Sequence, residues 1–169
     1  MKKILLLSDT HGYIDKRILS YVQKADEVWH AGDIGNLDVT DQIEELKPLR
    51  AVYGNIDGKD TRVNFPEFQQ FYCEQVSVLM THIGGYPGRY TPRIKELFSK
   101  STPKLFICGH SHILKVMQDK KYKLLHMNPG AAGVQGFHKI RTMLSFEING
   151  DEVQNLEAIE LGQRGVMKN

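Results

Sequence analysis

The sequence predicts an α/β fold, with a helix-covered parallel sheet and a second β-rich layer packed against it. Short apolar runs alternate with helix-periodic segments over residues 1–55. Paired strand-like runs occupy 65–82 and recur in the tail, where Asn149-Gly150 is a strong hairpin turn. No repeat, low-complexity tract or Pro/Gly-rich linker divides the chain, so a single domain over 1–169 is expected.

Residues 3–8 (KILLLS) read as a buried strand, 9–13 as a loop, and DKRILSYVQKA as a helix with Ile18, Leu19 and Val22 on one face. The pattern repeats with a strand at 27–33, a helix at 37–47 capped by Thr40, and a strand at 49–55. Such alternation argues a right-handed βαβ series. After Gly58 the pattern changes to an antiparallel hairpin at 65–82, then a helix at 91–100 and a buried strand at 104–109. Two further hairpins follow, one turning near Asp119 to Lys121 and one at Asn149-Gly150; both are expected in the second sheet. The closing GQRGVMKN is polar and is expected to fray or to engage a neighbour.

Composition narrows the partners. Twenty-two basic against 20 acidic residues give a net charge of +2, which predicts no strong attraction to nucleic acid or to an anionic membrane. Cys73 and Cys108 are far apart and lie in apolar stretches, which points to buried thiols in a reducing compartment. In MKKILLLSDTHG, Ser8 and Asp9 end the apolar run well short of the roughly 7–15 residues of a secretory segment. The expected location is the cytoplasm, with no membrane association.

The chemistry-bearing residues stand directly after the apolar runs. Asp9 and His11 follow the first, Gly32-Asp33 the second and Gly54-Asn55 the third; His82 follows VSVLMT, and Gly109-His110-Ser111-His112 follows KLFIC. Ligands of open α/β sheets collect at the carboxyl ends of strands, so these five segments can share one cleft. Four His, two Asp and one Asn form a mixed N/O donor set suited to Mn, Fe, Zn, Co or Ni. Seven ligands exceed one tetrahedral zinc site and suit two metals about 3.5–4 Å apart, bridged by a carboxylate.

The ordered set D9-x-H11, G32-D33, G54-N55-x-D57, H82 and G109-H110-S-H112 resembles the calcineurin-like metallophosphoesterase superfamily, in particular its small single-domain bacterial and archaeal phosphodiesterase branch. The resemblance runs from Asp9 to Gly130 and implies a four-layer αββα sandwich of two mixed β-sheets flanked by helices. It implies that Asp9, His11 and His112 bind one divalent metal, that Asn55, His82 and His110 bind a second, and that Asp33 bridges them. Manganese is the first expectation for the metal. The implied reaction is hydrolysis of a small phosphodiester by a hydroxide held between the metals.

Other residues have separate readings. Gly32, Gly54 and Gly109 read as backbone turns, and His30 of VWHAGD as buried support for the site. Arg89 in GGYPGRY and Asn128 of the Asn-Pro-Gly segment are candidate substrate contacts; His126 and His138 lie outside the motifs and read as structural or surface residues. Many superfamily members carry a His immediately after Gly-Asn, where this chain has Ile56. Members of the small branch often carry a second His two positions after the equivalent of His82, where this chain has Gly84. Neither position can protonate a leaving group, which leaves solvent, Asp57 or His138.

Three alternatives stand beside the diesterase. The same metal pair can act as a phosphomonoesterase. A protein-interaction scaffold resembling the small subunit of retromer is a second, and a nuclease, disfavoured by the charge balance, a third. A homo-oligomer through the β-rich tail remains open.

Overall fold

The computed structural model describes residues 1–165 and contains two five-stranded sheets. Strands β1 (Lys2–Leu7), β2 (Glu27–His30) and β3 (Leu49–Ala51) run parallel, with α1 (Lys16–Lys24) and α2 (Leu37–Glu44) in the crossovers. A short helix, α3 (Lys59–Asn64), follows β3. The second sheet begins with the hairpin of β4 (Phe68–Cys73) and β5 (Val76–Thr81), and α4 (Pro92–Lys100) leads to β6 (Leu105–Ile107). It is completed by β7 (Leu114–Asp119) and β8 (Leu124–Pro129), in the order β4-β5-β6-β8-β7.

The last hairpin, β9 (Ile140–Asn149) and β10 (Glu152–Gln163), differs from expectation. It joins the first sheet, where β9 pairs antiparallel with β1 in the order β10-β9-β1-β2-β3. The pairing covers the edge of β1 that the βαβ series leaves open, and an unpaired edge is a liability. Strand periodicity reports which residues share a face, but not which sheet receives them.

Alternation along β1 explains the layers. Ile4 and Leu6 point between the sheets, where they meet Trp29, Val78, Met80, Ile107 and Phe146. Leu5 and Leu7 point outward and pack under Ile18 and Val22 of α1 and Val39 and Ile43 of α2. On the far side, Ile94 and Phe98 of α4 cover Leu79 and Phe106. The result is the αββα order, in which the parallel strands β1, β2 and β6 are buried on both faces while the edge strands β4, β7 and β10 are partly exposed.

Local chemistry sets the helix ends. Asp15 caps α1 by accepting from the Ile18 amide at 2.8 Å, and Thr91 caps α4 ahead of Pro92. Thr40 is not a cap: it lies inside α2 and its hydroxyl donates to the Leu37 carbonyl, while Asn36 occupies the cap position. Helix α3 has no sequence signature because it is only six residues long and buries only Thr61. Gly162 and Gln163 belong to β10, and Arg164 is tied back by its amide to Lys139 O and by its guanidinium to His138 O; 166–169 lie outside the described residues. Among the described residues, no helix is long and apolar enough to cross a membrane. Both cysteines are buried and unpaired.

Candidate metal centre

Within each sheet the parallel strands point their carboxyl ends the same way, so the segments after β1, β2, β3, β5 and β6 meet at one edge. The loops interlock there by backbone bonds. The amides of Asp9, His11 and Gly12 donate to the carbonyls of Gly32, Asp33 and Ile34 at 2.9, 3.0 and 2.7 Å, and Gly109 N–H donates to His82 O at 3.0 Å.

This edge carries local backbone strain. Asp9, His11, Asp33, His110 and His112 have φ of 53°, 46°, 52°, 72° and 59°, five of the eight non-glycine residues at positive φ among the described residues. The left-handed region is uncommon for residues with a Cβ, and such strain persists only where the surroundings hold it. Here it turns each side chain off its strand axis toward the common space.

Two sets of donors result. Asp9, His11 and His112 form one group, and Asp33, His82 and His110 the other; the ligand atoms within each lie within 4.8 Å of one another. Asp33 Oδ2 sits between the groups, 3.4 Å from His11 Nε2 and 3.2 Å from His82 Nε2. His112 Nε2 is 3.1 Å from Asp9 Oδ1, and Asn55 Oδ1 is 3.0 Å from His110 Nδ1. All seven sequence-predicted side chains therefore converge on one cleft.

The remaining atoms of these residues are used for orientation. Asp9 Oδ2 accepts from the Ser8 hydroxyl at 2.6 Å and the His110 amide at 3.1 Å, and Asp33 Oδ1 accepts from the Ile56 amide at 3.0 Å. His82 Nδ1–H donates to Ala31 O at 2.7 Å, which leaves Nε2 as a lone-pair donor facing the cleft. His138 orients His112 in turn. His138 Nε2–H donates to the Gly133 carbonyl at 2.9 Å, so its Nδ1 accepts from His112 Nδ1–H at 3.2 Å and frees His112 Nε2.

Asp9 Oδ1, His11 Nε2 and His82 Nε2 are buried without any hydrogen-bond partner. Buried polar atoms are normally satisfied, and three orphans facing one space are what a cation-binding centre leaves when its ions are removed. The donor set fits divalent metals.

The protonation pattern of the metal-free site agrees. Burial alone raises the Asp9 carboxyl, but His11, His112, His82 and Ser8 together hold it well below the usual carboxylate range. The Asp9 carboxylate raises the His11 imidazole; His82 is raised by Asp33 and Asp9 against the opposing effect of burial. Both shifts favour the protonated imidazoles when no cation is bound, so metal binding and protonation compete for the same nitrogens.

The supporting residues fall into place beneath. His30 accepts from Gly32 N–H at 3.2 Å and bonds Thr10 Oγ1 at 2.9 Å; burial lowers its imidazole to about 4, so it is a neutral strut. Asp57 accepts from the amides of Ile34, Gly35 and Gly54, bracing the Gly54-Asn55-Ile56-Asp57 turn with both carboxylate oxygens engaged. Of the three motif glycines only Gly32 has a positive φ. Gly54 and Gly109 serve clearance: a Cβ on Gly54 would run into Asp33, and one on Gly109 into Ser8 Oγ and Asp9 Oδ2.

The two candidate substrate contacts sit differently. Arg89 is exposed and only its backbone is engaged, through a turn bond to Tyr86 O. Asn128 is buried: Nδ2 donates to Gly109 O and Ser111 Oγ, and Oδ1 accepts from Gly130 N–H, so its amide organises the loop that carries His110. The role of His138 has no sequence signal, because it lies 26 residues from His112 on a loop without a motif.

Comparison with known proteins agrees with this geometry. The chain is 26% identical over 136 residues to a chain from Methanothermobacter thermautotrophicus described as a probable metallophosphoesterase, covering 76% of each. Among solved structures, Vps29 of Entamoeba histolytica superposes with a TM-score of 0.72 at 16% identity, over 95% of this chain and 99% of that one. A structure described as a novel archaeal phosphodiesterase superposes with a TM-score of 0.69 at 22% identity, over 94% and 99%. The model of the calcineurin-like phosphoesterase superfamily domain matches residues 1–151, and the chain belongs to that superfamily.

Proposed function

We propose that the protein is a two-metal phosphodiesterase in which Asp9, His11 and His112 hold one divalent cation, Asn55, His82 and His110 hold the second, and Asp33 Oδ2 serves both. The observation that carries this reading is the position of Asp33 Oδ2, within 3.4 Å of a histidine nitrogen from each group. A pair of divalent cations supplies Lewis acidity toward phosphoryl oxygens and an activated water near neutral pH. The chain's own contribution is to fix the ligand atoms: backbone strain aims them, and His138, Ala31 O and the Ser8 hydroxyl set their tautomers and rotamers.

Diesters are favoured over monoesters because the archaeal neighbour is described as a phosphodiesterase. The chain places no proton donor at either family position: Ile56 is half exposed and apolar, and a Cβ at Gly84 would strike the Phe106 ring. Asp57 and His138 are both committed elsewhere, so the reaction relies on solvent or on a leaving group that departs unprotonated. The Vps29 likeness, at 16% identity against 22% for the archaeal neighbour, keeps the scaffold as the alternative reading.

The test is hydrolysis of bis(4-nitrophenyl) phosphate and 4-nitrophenyl phosphate with Mn, Zn and Ni supplied separately, manganese being the first metal to assay. Metal-dependent turnover that is faster on the diester supports the reading. Faster turnover of the monoester makes the protein a phosphomonoesterase, and no turnover with any metal favours the scaffold.

A further inference from the structure

We propose that the cavity beside the metal centre binds a flat heteroaromatic ring carried by the phosphodiester, a nucleobase or a ring of the same size and hydrogen-bonding character. The inference rests on the phosphodiesterase reading and names the substrate class of that site. The cavity encloses about 460 Å³, ample for a nucleoside. His110 belongs both to the wall of this cavity and to the second donor group, and Gly109 lines it too, so the cavity adjoins the metal centre.

Its lining is selective. Gly84, Gly85 and Gly109 present bare backbone, and Ile83, Tyr86 and Ile113 stand around the opening at 45%, 41% and 63% exposure. All three line the same cavity, which gives it the apolar and aromatic wall typical of small-molecule sites. Lys115 Nζ rests 4.4 Å from the centre of the Tyr86 ring, placing a cation and an aromatic face side by side.

His126 is the second, independent observation. It is 1% exposed, lines the cavity, and neither ring nitrogen has a partner. Its ring lies 5.8 Å from that of Phe106 and 6.0 Å from that of Tyr90, centre to centre. Burial, reinforced by the Lys115 charge, lowers the imidazole to about 4 and keeps it neutral. A neutral imidazole offers one donor and one acceptor, which suits the edge of a heterocycle and has no use for an alkyl chain.

The test is calorimetric titration of the manganese-loaded protein with AMP, methyl phosphate and hexyl phosphate. AMP is expected to bind roughly tenfold more tightly than methyl phosphate, with hexyl phosphate between them. Tyr86→Ala and Lys115→Met, both at the accessible side of the cavity, are each expected to cut the AMP preference to below about threefold. His126→Gln, which keeps a donor and an acceptor, is expected to retain more of the preference than His126→Leu. AMP binding no better than methyl phosphate, hexyl phosphate matching AMP, or an unchanged preference in the two surface variants overturns the ring site alone. Absence of metal-dependent turnover of bis(4-nitrophenyl) phosphate, measured on the same preparation, overturns the phosphodiesterase reading and the ring site with it.

Discussion

His138 Nδ1 lies 3.2 Å from His112 Nδ1, and the Gly133 carbonyl, 2.9 Å from His138 Nε2, decides which of the two nitrogens carries the shared proton. A carbonyl only accepts, so His138 donates there and must accept from His112. Burial, which lowers the His138 imidazole, favours the neutral form this requires. His138→Phe is expected to weaken manganese binding at the Asp9–His11–His112 group by about 10–100-fold, as loss of a ligand-orienting partner does. His138→Gln, whose amide oxygen can accept from His112, is expected to recover part of it. Titration calorimetry on the metal-free variants checks both; equal affinity in wild type and His138→Phe contradicts the arrangement.

The glycines at the site predict a stability effect with a functional signature. Gly54→Ala drives a methyl group into the Asp33 carboxylate, and Gly109→Ala drives one into Asp9 and Ser8. Overpacking of this kind costs about 1–3 kcal/mol. Urea unfolding is expected to show that loss together with weakened manganese binding. Gly58→Ala is the control, since a Cβ there meets nothing within 4 Å.

Stability of the metal-free protein is expected to peak near pH 6.5. His30 and His126 are buried with imidazoles lowered to about 4, so the unfolded chain takes up protons first as pH falls from 6.5. Their stabilisation is present above 6.5 and lost toward pH 4, approaching about 3 kcal/mol each when fully expressed. His11 and His82 have the opposite sign: their raised values stabilise the fold below 6.5, and that contribution is lost as pH rises through them. Urea midpoints in chelator at pH 5, 6.5 and 8 check this. A steady rise from 5 to 8 contradicts it, and saturating manganese is expected to remove the fall between 6.5 and 8.

Without an internal acid, the rate should depend steeply on the leaving group. A series of aryl methyl phosphodiesters is expected to slow by orders of magnitude as the phenol becomes less acidic, because the usual 10²–10⁴-fold help from a general acid is missing. A rate indifferent to leaving-group pKa shows that an unassigned residue protonates it. Asp57→Asn is expected to lower stability without flattening the slope, since both Asp57 oxygens accept backbone amides.

The site was more legible in the sequence than its supports. Asp9, His11, Asp33, Asn55, His82, His110 and His112 all follow apolar runs, and the rule that ligands gather at strand ends brings them together without knowledge of the sheet order. The βαβ start was readable for the same reason: apolar period and turn residues are local signals. What failed depends on distant contacts. Nothing within β9 says that it pairs with β1 rather than joining the second sheet, because its alternation fits either. Thr40 looks like a cap only until the chain is seen to enter the helix at Leu37. The bond from His138 to His112 depends on the path of the 133–139 loop, where Gly136 is needed because a Cβ would strike both imidazoles.

The central claim is that two cations share Asp33. Anomalous scattering from manganese-soaked crystals tests it most directly. The account predicts two peaks about 3.5–4 Å apart on either side of Asp33 Oδ2, one against His11 and His112 and the other against His82, His110 and Asn55. A single peak, or a pair that does not touch Asp33, contradicts it.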